Sequence, residues 1–374
     1  MENKFRTPYF LVDESLILKN LEVLKKLSKE TDCKVLLAQK AFSMFACYPL
    51  IKKYLAGTTA SGLFEARLGA EEFGGETHVF SPAYREDEFE EILKYADDIV
   101  FNSPNQVKKF GKRAKDAGKT IGLRVNPECS TQDGHAIYDP CSPGSRLGTT
   151  IANFDEEVNE MLDGLHFHTL CEQNSDDLEK TAEAFEEKFG KYLYGKKWLN
   201  MGGGHHITRA DYDIERLKKI ILHFKEKYNV EVYVEPGEAV VLNGGFLISS
   251  VMETFKNGID VAILDTSAAC HMPDVIEMPY RPPVLNSGEP GEKKYTYRFG
   301  GPTCLAGDII GDYSFDEPLK EGDKITFCDM ALYTMVKTNT FNGMNLPDIV
   351  CKRVDGKYEL IKSFGYEDFK NRLS

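Results

Sequence analysis

Five short stretches carry residue types and spacings suited to chemistry. Lys40 sits in LLAQKAF, where Leu36, Leu37 and Ala38 read as the end of a short buried strand. Desolvating a lysine ammonium costs several kcal/mol. A lysine at such a place therefore either snorkels to water or keeps its amine for covalent chemistry. In Gly164-Leu-His-Phe-His168, strand alternation puts His166 and His168 on one face. Such a pair suits a metal ion, a ring stacked on an aromatic cofactor, or a hydrogen-bonded core histidine, and spacing alone does not choose among them. Asn200-Met-Gly-Gly-Gly204-His205-His206 lets backbone N–H groups approach an anion such as a phosphate, although plain tight turns use glycine too. Glu235, in Val234-Glu-Pro-Gly-Glu238, is a carboxylate aimed by a Pro-Gly turn. Finally, Gly300-Gly-Pro-Thr-Cys304-Leu-Ala-Gly-Asp308 presents a thiol on a rigid turn. Cys129, Cys141, Cys171 and Cys270 take the commoner reading of a cysteine, a buried structural one.

The elements between these stretches place four of them alike. Apolar or β-rich runs fall at 34–38, 57–60, 77–80, 99–102, 120–125, 164–167, 198–201 and 230–234. Amphipathic or charged stretches such as 86–95, 106–117, 178–189 and 214–228 lie between them. Eight strand–helix units are the count of a (β/α)8 TIM-like barrel, whose active sites form at the C-terminal ends of the strands. An open doubly wound sheet would need GxGxxG after its first strand, and the chain has none there. Lys40, His168, the glycine run and Glu235 all follow expected barrel strands. From about residue 240, short β-like runs alternate with Gly/Pro/Asp turns, at 246–251, 261–264, 295–299, 324–327, 331–336 and 358–361. The expected division is an α/β barrel over 8–240 and an all-β C-terminal domain over 241–374, to which the extreme N-terminus contributes.

Composition narrows the partners. The 374 residues hold 46 Lys+Arg against 59 Asp+Glu, a net charge of −13, which disfavours nucleic acid and anionic membrane. Nine cysteines without a CxxC pair suggest neither a disulfide framework nor a zinc knuckle. MENKFRTPYF has no apolar signal core, and no apolar run reaches membrane-spanning length. A soluble, reduced, cytoplasmic protein is the expectation.

Lys40 after a strand, HFH at 166–168, GGG at 202–204, EPG at 235–237 and GPTC at 301–304, in that order, resemble the fold-type III pyridoxal-phosphate decarboxylases. That group includes the ornithine and diaminopimelate enzymes and is related to alanine racemase. The resemblance implies pyridoxal 5′-phosphate as cofactor, held on Lys40 as a Schiff base. It implies His168 stacked on the pyridine ring, Gly203, Gly204 and Gly237 around the cofactor, and Glu235 on the pyridine nitrogen, which keeps the ring an electron sink. Tyr333 would touch the phosphate, and Arg146 matches a basic position of the cofactor region. Cys304 would return a proton after CO2 leaves, from the partner subunit of a homodimer. No metal is implied; a metal reading of the histidines would leave Lys40 and EPG without a role.

Three departures bear on substrate. Glu238 follows EPG where the family commonly has Arg. Leu305 follows the cysteine where ornithine and diaminopimelate enzymes carry an acid, and His168-Thr-Leu-Cys-Glu172 replaces HxGS. A polyamine-like substrate carries several ammonium groups, each needing a carboxylate or water once desolvated. Glu238 and Asp274, with Asp308, are the candidates. These strings resemble the branch acting on carboxynorspermidine and carboxyspermidine, so the implied reaction releases CO2 and norspermidine or spermidine. A diaminopimelate, ornithine or arginine decarboxylase, a racemase and a non-catalytic cofactor carrier are the alternatives. Leu305 with Glu238, the thiol in place of a second base, and the large β domain count against them in turn.

Overall fold

The first strand of the chain, β1 (Tyr9–Asp13), is buried along its whole length but does not belong to the barrel. It pairs antiparallel with residues 245–248 and parallel with 348–352. The computed structural model describes residues 5–132 and 136–374. These fall into two units, Leu18–Val240 and Met1–Ile17 with Val241–Ser374. The barrel unit thus begins at Leu18 rather than residue 8, because β1 finds its hydrogen-bond partners among C-terminal strands. Residues 1–4, part of the N-terminal stretch expected in the β domain, lie outside the described residues.

In the first unit, β2 (Lys34–Ala38), β3 (Gly57–Ala60), β4 (Glu76–Phe80), β5 (Asp98–Phe101), β6 (Thr120–Arg124), β7 (Gly164–His166), β8 (Trp198–Asn200) and β9 (Glu231–Val234) close a parallel barrel. The pairs Lys34↔Tyr233 and Val35↔Val234 complete the ring. Parallel strands are covered on both faces, which is why runs such as VLLA and IGL are continuously apolar. Local signals set the helices. Ser103 accepts from the Gln106 N–H ahead of Pro104, Asp213 accepts from Arg216, and Asn229 ends its helix in the left-handed region. Leu178, Ala182, Phe185 and Phe189 form one buried stripe at helical spacing.

Trp198, the chain's one tryptophan, occupies the middle of the barrel with Leu36, Val100 and Tyr233. Glycines opposite make room for it. A Cβ on Gly164 would lie 2.1 Å from its ring, and one on Gly122 2.2 Å. Losing such a side chain typically costs about 3–5 kcal/mol. On the inward faces of the strands, Arg124, His166 and Asn200 then stand toward the C-terminal ends.

In the second unit, β10 (Gly245–Asn257), β11 (Ile259–Leu264), β12 (Tyr295–Gly300), β13 (Ile309–Phe315), β14 (Lys324–Cys328), β15 (Asp348–Lys352) and β16 (Tyr358–Lys362) join β1 in one sheet. Its order is β13-β12-β11-β10-β1-β15-β16, with β14 also on β10. Phe299, Tyr313 and Phe327 pack at its core. The run 331–336, expected as a strand, is a series of turns, because Asp329 and Tyr333 take positive φ (58° and 50°) and bend the chain away from a ladder. Strands β13 and β15 are not evident from the sequence, since Gly311, Asp312 and Ser314 interrupt the apolar pattern of the first and Asp348 and Lys352 leave three apolar residues in the second. Among the described residues, no helix is long and apolar enough to cross a membrane.

Candidate active site

Lys40 leaves β2 on a backbone fastened from both sides. The Ala38 N–H donates to the Pro236 carbonyl (3.1 Å) and the Gln39 N–H to that of Thr59 (3.1 Å). The buried Gln39 side chain adds bonds to Tyr48 and to the Glu65 carbonyl. Lys40 then lines one cavity with Phe80, Arg124, His166, His168 and Glu235. Water reaches the side chain through the barrel mouth, yet protein crowds the ammonium. That desolvation lowers its pKa, and the Arg124 charge adds to the effect against Glu235 and Glu238.

His168 is neutral for a geometric reason. Its Nδ1 accepts the Gly203 backbone N–H at 2.7 Å, which leaves the ring proton on Nε2. Burial, then Lys40 and Arg124, hold its pKa well below the ordinary value. Glu235 sits deeper. Its Oε1 accepts from the Asn200 amide at 2.7 Å, and its Oε2 lies 3.4 Å from His166 Nε2. Burial pushes this carboxyl up, but His166, His78 and Asn200 outweigh it and hold it down at about 2. The site therefore offers a softened amine, a neutral imidazole and a fixed carboxylate in one cavity.

Arg124 is a site residue that sequence reasoning missed. It is 4% exposed, its Nη2 donates to the His168 carbonyl at 2.9 Å, and its guanidinium lies 4.6 Å from the Phe80 ring centroid. Burial lowers its pKa to about 10. The signal was an arginine closing the apolar run of β6. Arg146, the basic residue singled out instead, is exposed on a loop outside the cavity lining, where its carbonyl accepts from Asn102.

The glycines answer first to backbone packing. A Cβ on Gly203 would meet the Glu235 carbonyl at 2.2 Å, one on Gly204 the Leu170 carbonyl at 1.9 Å, and one on Gly237 the Ala41 side chain at 2.5 Å. Gly204 also has φ +83°. Beside this turn, His206 Nε2 lies 2.9 Å from Glu238 Oε2, so Glu238 already has a partner. His205 Nδ1 pairs with the Tyr212 hydroxyl (2.8 Å), and burial lowers this histidine to about 4. The buried His205 Nε2 and His206 Nδ1 have no hydrogen-bond partner.

The other expected site residues lie in the second unit. Cys304 is exposed, and its N–H donates to Asn342 Oδ1 at 2.9 Å. Asp308, 3% exposed, ties its own loop to the 267–269 turn: it accepts from Ser267 Oγ (3.0 Å), the Ala269 N–H (3.2 Å) and Thr303 Oγ1 (2.7 Å). Asp274 is salt-bridged to Lys337, and Tyr333 is half-buried in its left-handed turn. Among the cysteines read as structural, Cys141 and Cys270 are buried, whereas Cys129 and Cys171 are half-buried.

The family described as pyridoxal-dependent decarboxylase, C-terminal sheet domain, matches residues 17–331. The carboxynorspermidine/carboxyspermidine decarboxylase of Campylobacter jejuni is 42% identical, with 99% of each chain covered. A carboxyaminopropylagmatine decarboxylase of Synechocystis is 43% identical, covering 98% of this chain and 95% of that one. The crystal structure of carboxynorspermidine decarboxylase from Campylobacter jejuni complexed with norspermidine superposes with a TM-score of 0.91 at 41% identity, covering 98% of this chain and all of that one.

Proposed function

Since the chain belongs to the pyridoxal-dependent decarboxylase family, we propose that it decarboxylates carboxynorspermidine or carboxyspermidine and releases norspermidine or spermidine. The observation that carries the reading is the convergence of Lys40, His168, Arg124 and Glu235 on one cavity at the barrel mouth. That donor set fits pyridoxal 5′-phosphate. The cofactor supplies an electron sink for the charge left when CO2 departs.

The chain's own residues do the rest. Lys40, whose amine is softened by burial, is the covalent anchor and the group that releases product. His168 offers a flat neutral face and cannot compete for protons, because its Nδ1 is occupied by Gly203. Glu235, ionised and hydrogen-bonded by Asn200, holds a proton on the ring nitrogen. Arg124 locks the His168 backbone and places a positive charge beside the site. Gly203, Gly204 and Gly237 keep the backbone close enough to enclose the cofactor, with Tyr333 as a further phosphate contact. Cys304 returns the proton, and Glu238, Asp274 and Asp308 are the acidic candidates for the substrate's ammonium groups. A homodimer in which each Cys304 turn completes the other subunit's site suits an exposed thiol flanked by exposed Leu305 and Phe341. Cytoplasmic placement fits nine free cysteines.

The 43% identity to the Synechocystis enzyme favours one second reading, a substrate ending in guanidinium rather than ammonium. CO2 release from carboxynorspermidine, carboxyspermidine, carboxyaminopropylagmatine, diaminopimelate and ornithine, offered side by side, separates the two. Turnover confined to the first two supports the proposal; preference for the third selects the second reading, and preference for either of the last two overturns both.

A further inference from the structure

A second titratable cluster lies inside the barrel, below the residues used above. On the inward face of β4, Glu76, His78 and Phe80 succeed one another toward the active site. His78 is 1% exposed, yet its Nε2 lies 3.1 Å from Asp98 Oδ2 and 3.4 Å from Glu76 Oε2. Its ring packs against Tyr233, with centroids 4.6 Å apart, and against Trp198 at 6.4 Å. At this end of the barrel Glu76, Glu231 and Asp98 are acidic, and Lys34, salt-bridged to Glu76 and Glu231, is the basic group that faces them. Three carboxylates against one ammonium leave an excess negative charge beside a buried ring. Nδ1 of His78 is buried without a hydrogen-bond partner, so a proton there is held only by the charge of the neighbouring carboxylates.

The cluster connects upward through β9. Tyr233, which packs on His78, is two residues before Glu235, so both face the barrel interior, about 7 Å apart along the strand. We propose that His78 is held as an imidazolium in the barrel core and acts as a positioning residue, the counter-charge that keeps Glu235 ionised. The proposal rests on the reading of Glu235 as partner of the ring nitrogen. Burial opposes the charged ring, but Asp98 and Glu76 outweigh it and raise His78 to about 9. His78 is in turn among the groups that hold Glu235 down.

The test uses the full-length apoprotein. Nitrogen-15 spectra of its histidines, with His78 assigned through His78→Gln, should show both ring nitrogens protonated at pH 7; an unprotonated Nδ1 overturns the proposal. Carbon-13 titration of the Glu235 carboxyl should show its midpoint rising by about one pH unit or more in H78Q. Trp198→Phe, which loosens the same core without removing charge, should leave the midpoint where it is. An unmoved midpoint in H78Q, or an equal rise in W198F, overturns the proposal. Should H78Q not fold, Asp98→Asn, which lets the ring shed its proton in place, takes its role with the same expected rise. Cofactor affinity of Glu235→Gln is measured separately. Unchanged affinity would defeat the ring-partner reading and with it the positioning role, while the charge relation between His78 and Glu235 would still be read from the titration.

Discussion

The Gly203 backbone N–H donates to His168 Nδ1 at 2.7 Å, and this single bond fixes the tautomer of the ring expected to lie on the cofactor. It also ties the glycine turn after β8 to the residues after β7. The expected phosphate cradle and the expected stacking histidine are therefore one mechanical unit.

Gly203→Ala should show that coupling. A Cβ there would approach the Glu235 carbonyl at 2.2 Å, backbone that cannot move without shifting Glu235. Overpacking of this kind costs about 1–3 kcal/mol. Urea unfolding should show a loss of that order, and titration with pyridoxal phosphate a weaker cofactor affinity. A wild-type midpoint with wild-type affinity would mean the turn is not so constrained.

Lys40→Met should abolish the visible absorbance of the bound cofactor while making the apoprotein more stable at neutral pH. The folded pKa of Lys40 is lowered by burial and by Arg124. Between that lowered value and the ordinary 10.5, the unfolded chain binds the extra proton, so this lysine weakens the fold and the penalty fades as pH rises toward 10.5. Chemical denaturation at several pH values should show the gap between K40M and wild type closing upward. A gap that widens with pH would contradict the burial of this amine.

Glu235→Gln has the opposite sign. A carboxyl held at about 2 instead of 4.5 contributes stability that is complete above 4.5 and is lost as pH falls through about 2. The variant should be less stable than wild type at pH 7, and the two should converge in acid. Its turnover should fall by at least tenfold, since the ring nitrogen loses its partner. Stability curves that stay parallel from pH 7 to pH 3 would argue against an ionised Glu235.

Lys40→Ala and Cys304→Ala test assembly as well as chemistry. Each should be nearly inactive alone, with the cofactor absorbance lost in the first and kept in the second. Mixed after brief dissociation, they should regain up to about a quarter of wild-type activity, the statistical share of sites holding both wild-type groups. No recovery, with dimers confirmed by light scattering, would place Cys304 and Lys40 of one site on the same chain.

The sequence alone determined what depends on local pattern. All eight barrel strands are legible as apolar or β-rich runs, because a strand covered on both faces carries few polar side chains. Lys40, His168, Glu235 and the glycines stand out because each is an unusual residue type at a strand end. Tertiary structure decided what depends on neighbours far away in the chain. Arg124 joins the site, and Arg146 lies outside the cavity lining, because only barrel closure sets which charges share the interior. Asp308 is taken up by Ser267 and Ala269, 41 and 39 residues away, and Asp274 and Glu238 have partners 63 and 32 residues distant. Strand β1 falls within the stretch 8–240 assigned to the barrel, yet β10 and β15 supply its hydrogen bonds. Hydrophobic periodicity is written within a dozen residues, whereas strand pairing and the ionisation of a buried group are set by whatever the fold brings alongside.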